Sequence, residues 1–192
     1  MKRKLLYFAI IFFFIFTNSF SKNLKFTKII DLDKPWGSSF INSNELLVTE
    51  KSGKLKIINI ENNHIKEIEH NLKFLEYGQG GLLDIIYKDG YIWISYTEDR
   101  GNSKTSTSIA KGKFDKKKIF FENIFQANPP IESGYHFGSR LAIKGNYIFA
   151  SLGERGQGMI AQNATSHPGS IIRIHLDGTI PIDNPKFKEK KN

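Results

Sequence analysis

The sequence predicts an all-β fold made of repeated units, of the kind found in β-propellers. Three segments share one pattern, in which a turn residue is followed by an apolar strand, a glutamate, a nearby basic residue and a glycine. The three glutamates are Glu50, Glu98 and Glu154, which are 48 and 56 residues apart. Periods near fifty residues are typical of propeller blades or a related β-repeat. Outside the N-terminus no long window keeps the helical periodicity, so the rest of the chain is predicted to be almost all β.

Each unit is predicted to contain three strands around its glutamate. The central strand ends near the glutamate, and the alternation Lys54, Leu55, Lys56, Ile57 predicts a half-buried strand on its outer side. Glycine-containing turns at residues 88–90 and 177–178 suit hairpin connections. The predicted inner strands cover residues 36–40, 81–87 and 139–143, and the predicted outer strands cover residues 54–60, 107–114 and 170–176.

The first twenty-one residues predict a secretory signal peptide. Three basic residues precede an apolar run over residues 5–16, and Ser19 and Ser21 are small residues at the positions that a signal peptidase inspects. The alternative is a membrane anchor, but twelve residues of helix span only about 18 Å, less than the roughly 30 Å of a hydrocarbon core. The sequence has no cysteine, which excludes a lipoprotein anchor and disulfides. We expect a periplasmic or secreted chain without a membrane span after cleavage.

Charge and length limit the remaining possibilities. The formal net charge is +9, and lysines are scattered over predicted turns and strand edges, which favours solvated faces over a nucleic-acid site. After the leader, residues 22–187 are predicted to form a partial propeller and residues 188–192 a charged tail. This length holds about three blades, whereas closed propellers use roughly four to eight. We therefore expect an incomplete ring, either part of a longer polypeptide or able to associate through exposed blade edges.

Six motifs, in order along the chain, carry a family resemblance. They are KPWG at 34–37, LLVTEKSGKL at 46–55, GQGGLLD at 78–84, HFGSR at 136–140, LGERG at 152–156 and DGTIPIDNP at 177–185. The chain resembles the glucose/sorbosone dehydrogenase family, which comprises soluble aldose dehydrogenases on a six-bladed propeller. The resemblance implies oxidation of an aldose sugar to its lactone with pyrroloquinoline quinone (PQQ) and calcium. It covers only the N-terminal half of the family's usual length, so we expect most PQQ and calcium ligands to be missing from this sequence.

The resemblance also assigns roles to three residues. It implies that His136 takes the proton from the anomeric hydroxyl, that Glu154 orients this histidine and stabilises its imidazolium form, and that Gln79 contacts the quinone. The pKa of an unperturbed imidazole, about 6.5, suits proton removal near neutral pH. From the residues alone, His136 in a loop and Gln79 among glycines also fit purely structural roles. The other histidines show no metal-binding spacing, so no metal ligand is predicted.

Two further interpretations remain open at this stage. The chain could be a non-catalytic exported propeller module that binds carbohydrate or a partner chain, or an inactive fragment. Tyr135 stands where the glucose-oxidising branch of the family has an acidic residue, so the resemblance does not define the sugar.

Overall fold

The computed structural model describes residues 24–186, and within this range the chain consists of β-strands, turns and one short 3-10 helix, Gly158–Gln162. The predicted leader, residues 1–21, and the predicted tail, residues 188–192, lie outside the described residues. No helix in the described range is long and apolar enough to cross a membrane. The strands are β1 (Pro35–Phe40), β2 (Glu45–Glu50), β3 (Leu55–Asn59), β4 (Ile65–His70), β5 (Leu82–Lys88), β6 (Tyr91–Asp99), β7 (Thr105–Lys113), β8 (Lys118–Ile119), β9 (Phe121–Gln126), β10 (Gly138–Lys144), β11 (Tyr147–Leu152) and β12 (Ile171–His175).

The strands form three antiparallel sheets, which confirms the prediction of an all-β propeller with about three blades. Blade 1 has the order β1-β2-β3-β4, blade 2 the order β5-β6-β7-β9, and blade 3 the order β10-β11-β12. The short strand β8 pairs in parallel with β4 and ties the chain of blade 2 to blade 1. The pattern-based prediction found three strands in each blade and missed β4, β9 and the two-residue strand β8. Most side chains of β4 are exposed, so its sequence IKEIEH lacks the apolar pattern of a core strand.

The same irregularity recurs between the first two strands of every blade. In each case the register shifts after the first residue pair, so these pairs are structurally equivalent. The equivalent pairs are Pro35 with Glu50, Leu82 with Tyr96, and Gly138 with Leu152.

This register corrects the predicted alignment of the glutamates. Glu98 and Glu154 each lie two residues beyond the equivalent of Glu50, so these two match each other. Glu50 does not match them, because it is itself the residue that pairs with the start of the inner strand. Sequence spacing alone does not reveal this two-residue offset. A glutamate followed directly by a basic residue occurs at both register positions, as Glu50-Lys51 and as Glu154-Arg155.

Strand β6 shows why the central strands have such apolar sequences. Ile92, Ile94 and Tyr96 belong to a core cluster shared with blade 1, while Trp93 between them belongs to a second cluster shared with blade 3. Because both faces of the strand are buried, the run YIWISY has no polar alternation. Fully burying one such aliphatic side chain stabilises the fold by about 1.5–3 kcal/mol.

Asp84 on the inner strand β5 connects blade 2 to blade 3. Its buried carboxylate accepts hydrogen bonds from the backbone N–H of Leu141 at 2.7 Å and from Nη1 of Arg140 at 2.8 Å. The hydroxyl of Ser95 adds a bond of 2.8 Å to the carbonyl of Ser139. These contacts fix the start of β10, and so they fix the place where the preceding loop, which carries His136, enters the sheet.

Candidate active site

Three loops meet at the end of the blades where β10 begins. They are residues 71–81 between β4 and β5, residues 127–137 between β9 and β10, and residues 153–170 between β11 and β12. The first two loops are joined by the N–H of Gln79, which donates to the carbonyl of Gly134 at 2.7 Å. A Cβ atom at Gly78 would lie 2.3 Å from that carbonyl oxygen, so only glycine allows this close approach.

His136 occupies an unusual backbone conformation within this contact. Its φ angle is +47°, in the left-handed region, which costs a residue with a side chain about 1–2 kcal/mol. Its N–H donates to Oε1 of Gln79 at 2.9 Å, and its carbonyl accepts the N–H of Arg155 at 3.4 Å. The structure therefore brings Gln79 to His136 as a support for its backbone.

Gly153 makes the approach of the third loop possible. A Cβ atom at this position would lie only 1.9 Å from the carbonyl oxygen of His136. The N–H of Gly153 instead donates to the carbonyl of Phe137 at 3.2 Å. The glycine lets the segment that carries Glu154 lie directly against the turn that carries His136.

The side chains of His136 and Glu154 form a hydrogen-bonded pair. Nδ1 of His136 bonds Oε1 of Glu154, which also accepts the N–H of Gly156 at 3.2 Å. The hydrogen bond from His136 is the main reason that the pKa of Glu154 lies below its ordinary value. With a proton on Nδ1, the neutral ring keeps a lone pair on Nε2, and the ring is 53% exposed. The pair therefore has the chemistry of an oriented general base that a ligand can reach.

Arg155, the residue that follows Glu154, also contacts the turn that carries His136. Its side chain is buried, and it donates to the carbonyls of Tyr135 at 2.9 Å and Thr105 at 3.2 Å. Burial lowers the pKa of Arg155 to about 10, so the guanidinium stays charged at neutral pH. A basic residue next to a glutamate carries no sequence signal that its partners will be backbone carbonyls.

Two other features lie away from this pair. Within residues 24–186 no group of three or more His, Cys, Asp or Glu side chains is arranged to hold a metal ion. A groove of about 800 Å³ runs along the outer side of β12 and β9, and its apolar lining includes Ile124, Phe149, Ile172 and Ile180. Neither His136 nor Glu154 lines this groove. Among the described strands, none pairs with the outer edge of β12.

Sequence and structure comparisons both match the chain to an aldose sugar dehydrogenase. The chain is 33% identical over 168 residues to aldose sugar dehydrogenase YliI of Escherichia coli, covering 82% of this chain and 45% of that protein. It superimposes on the apo-form structure of the soluble aldose sugar dehydrogenase of Escherichia coli with a TM-score of 0.77 and 31% identity, covering 83% of this chain and 49% of that one. The PQQ-bound aldose sugar dehydrogenase of Streptomyces coelicolor shares the fold, with a TM-score of 0.72, 22% identity, and coverage of 81% and 48%.

The chain thus spans about half the length of the relatives that it matches. The model of the Glucose / Sorbosone dehydrogenase family matches residues 32–192, which include the three blades and the loops that carry His136, Glu154 and Gln79. The chain belongs to the Glucose / Sorbosone dehydrogenase family.

Proposed function

We propose that this chain provides the proton-accepting part of a PQQ-dependent aldose dehydrogenase, which oxidises an aldose to its lactone. The observation that carries the proposal is the hydrogen-bonded pair of His136 and Glu154 on a half-exposed turn. A relative that is 33% identical to it over 168 residues is an aldose sugar dehydrogenase. In the overall reaction the sugar loses a hydride from C1 and a proton from the anomeric hydroxyl, so the sugar is oxidised by two electrons.

In this proposal His136 accepts the proton and Glu154 stabilises the resulting charge. Nε2 of His136 accepts it from the anomeric hydroxyl, and Nδ1 keeps its hydrogen bond to Glu154. The ring is then an imidazolium, which the adjacent carboxylate stabilises. Because the pKa of Glu154 is lowered, its carboxylate stays ionised at neutral pH and can perform this role. General-base catalysis of this kind contributes about 10²–10⁴ in rate.

PQQ, when bound, supplies the two-electron acceptor for the hydride. A carboxylated quinone needs amide and cationic donors, and two are present in the loop of residues 71–81 and beside it. Oε1 of Gln79 is engaged by His136, which leaves the Nε2 amide of Gln79 to donate to the cofactor. Lys51 bonds the carbonyl of Gly78 and places an ammonium group next to this loop. We assign no calcium ligand within the described residues.

The test is dye-linked oxidation of a panel of aldoses by the purified chain with PQQ and calcium. We expect His136→Ala to lower kcat/KM by at least about 100-fold, because the base is removed. His64→Ala, which changes an exposed turn histidine, is the matched control and should keep the wild-type rate. A folded wild-type chain that reduces no dye with any aldose would overturn the proposal for this polypeptide.

The groove beside β12 supports a second candidate function, a non-catalytic module that binds another polypeptide. β7 is paired on its outer side by β9, whereas the corresponding edge of β12 has no partner among the described strands, and Ile171 and Ile180 are exposed beside it. Such an edge can accept an added strand. Concentration-dependent association in sedimentation experiments, without aldose oxidation, would favour this function.

We also propose that residues 1–21 direct export to the periplasm or the medium. A mature chain that begins at Lys22, measured by intact mass, is the expected result.

A further inference from the structure

We propose that Arg155 is a positioning residue for His136, which holds the histidine through the backbone of residues 133–137 and does not itself touch the substrate. The inference deepens the proposed function and rests on it for the meaning of the histidine's position. Arg155 follows Glu154 directly in sequence, so one short segment would provide both the partner of the imidazole and the support of its backbone.

The guanidinium group contacts the turn on both sides of His136. Before the histidine, Nε donates to the carbonyl of Tyr135 at 2.9 Å, and Nη2 donates to the carbonyl of Ser133. After the histidine, the ring of Phe137 stacks on the guanidinium carbon, 3.7 Å from its centroid. The side chain of Arg155 therefore holds the residues on both sides of His136.

The same group also anchors the turn to blade 2. Nη1 donates to the carbonyl of Thr105 at 3.2 Å, and Nη2 donates to Oγ1 of Thr105 at 2.7 Å. Thr105 begins β7, a strand buried along most of its length. The planar, five-donor guanidinium can bridge a rigid strand and a loop simultaneously, whereas the three N–H groups of an ammonium all radiate from one nitrogen.

The burial of this charge indicates a specific role. Only 3% of the Arg155 surface is exposed, and among residues 24–186 no carboxylate lies within 4.0 Å of its guanidinium. A buried cation without a counter-ion is unfavourable compared with an apolar side chain of similar size. Packing alone would therefore favour a neutral residue. Among residues 24–186, Arg155 is the only donor to the carbonyl of Tyr135, while the carbonyls of Ser133 and Thr105 also accept, respectively, the hydroxyl of Thr105 at 3.3 Å and the N–H of Ile131 at 3.0 Å. Joining all three carbonyls through one side chain requires the several donors that arginine has.

The turn needs such support because its local backbone preferences oppose it. His136 and Arg155 have φ angles of +47° and +59°, and both are unfavourable for residues with a side chain. Without Arg155 the carbonyl of Tyr135 would lose its donor and that of Ser133 would keep only the hydroxyl of Thr105, so the turn would rearrange to satisfy them. His136 would then move relative to Glu154, since within residues 24–186 its ring makes a hydrogen bond at Nδ1 only.

The decisive measurement uses the chain without cofactor or sugar. In ¹³C-carboxylate NMR titrations, the pKa of Glu154 should rise toward its ordinary value in Arg155→Met and by a smaller amount in Arg155→Lys. The reason is that the hydrogen bond from His136 is the largest cause of the lowered value. His136→Ala gives the reference for complete loss of the bond. Arg173→Lys alters another arginine of blade 3, which binds Asn184 and Asp183, and should leave the pKa of Glu154 unchanged.

Steady-state kinetics provide the second measurement. A misplaced base lowers kcat with little change in binding, so Arg155→Met should lower kcat about 100-fold while KM changes less than about threefold. Arg155→Lys should lie between Arg155→Met and the wild type. If Arg155→Met fails to fold, Arg155→Lys carries the test.

A folded Arg155 variant with an unchanged Glu154 pKa would overturn the positioning role. If the wild-type chain oxidises no aldose and the Arg155 variants still raise the pKa of Glu154, the positioning stands while the proposed function fails.

Discussion

Blades 2 and 3 place a glutamate at the same register position and use it differently. Glu98 accepts hydrogen bonds from Ser108 at 2.6 Å, from Asn123 at 2.9 Å and from Gln126 at 2.8 Å, all within its own blade. Glu154 instead pairs with His136, a residue of the loop that precedes its blade. The shared position therefore gives a structural bond network in one blade and a candidate catalytic pair in the next.

The two glutamates differ because, of two facing positions, glycine occupies the loop position in blade 2 and the position after the central strand in blade 3. In blade 2 the loop residue is Gly80 and the strand residue facing it is Thr97, and a Cβ atom on Gly80 would lie 2.2 Å from Oγ1 of Thr97. In blade 3 the loop residue is His136 and the facing residue is Gly153, where a Cβ atom would meet the His136 carbonyl. One member of each pair carries a side chain, and in blade 3 it is the loop member. The clash at position 153 would be with a backbone carbonyl, so it excludes a side chain there whatever residue stands at 136.

Blade 1 gives a third outcome for a glutamate at the end of its central strand. Glu50 is fully buried and bonds Nζ of Lys56 at 2.6 Å and the N–H of Asp33 at 2.8 Å. We expect the largest stability effect of all three blades here. Lys56→Met should lower the free energy of unfolding by about 3–5 kcal/mol, because it leaves a buried carboxylate without its partner. Urea denaturation at pH 7 measures this, with the exposed Lys54→Met as control; equal losses in both variants would contradict the assignment.

Gly153→Ala would break the arrangement that distinguishes blade 3 from blade 2. The added Cβ would collide with the carbonyl of His136, so the free energy of unfolding should fall by about 1–3 kcal/mol. The pKa of Glu154 should also rise, because His136 would be displaced. Denaturation and NMR titration measure the two effects.

Gly90→Ala is the control, since this turn glycine has a positive φ and nothing within 4 Å of an added Cβ. It should lose some stability and leave the pKa of Glu154 as it is. A Gly153→Ala variant that keeps the lowered pKa would show that the two loops can separate without disturbing the pair.

Glu98→Gln would test whether the blade 2 glutamate is purely structural. The substitution replaces charge-assisted hydrogen bonds by neutral ones and turns one acceptor into a donor, so we expect a loss of about 1–2 kcal/mol. Glu122→Gln on the exposed side of β9 should have a negligible effect in the same denaturation series. Aldose oxidation should be retained per folded molecule, and its loss would place Glu98 in the site.

Glu154→Gln should have the smallest effect on stability and a distinct pH dependence. Because the pKa of Glu154 is lower in the folded chain, its ionised form stabilises the fold above the ordinary carboxyl pKa. This contribution to stability disappears as the pH falls through the lowered pKa of Glu154. Thermal unfolding should therefore favour the wild type slightly at pH 7 and show no difference below the lowered pKa. Glu132→Gln, at an exposed loop position, is the control; a difference that grows at low pH would contradict this sign.

Much of the fold was predictable from the sequence. Central strands such as β6 have long apolar runs because both faces are buried between blades, and turn residues mark their ends. The missed strands β4 and β9 each pair along only one edge within their blade. β4 is largely exposed, while β9 buries Phe121 but has no regular apolar alternation. The offset of Glu50 was hidden because the register depends on hydrogen-bonded partners, not on residue type.

The sequence by itself determined the repeated β-units and the presence of an imidazole and a carboxylate in matching motifs. Only the tertiary structure decided that His136 and Glu154, 18 residues apart, share a hydrogen bond. It did so through close backbone approaches at Gly78 and Gly153 and through the carbonyl groups that Arg155 binds. Backbone carbonyls are common to every residue, so no sequence pattern identifies which of them a buried arginine will bind.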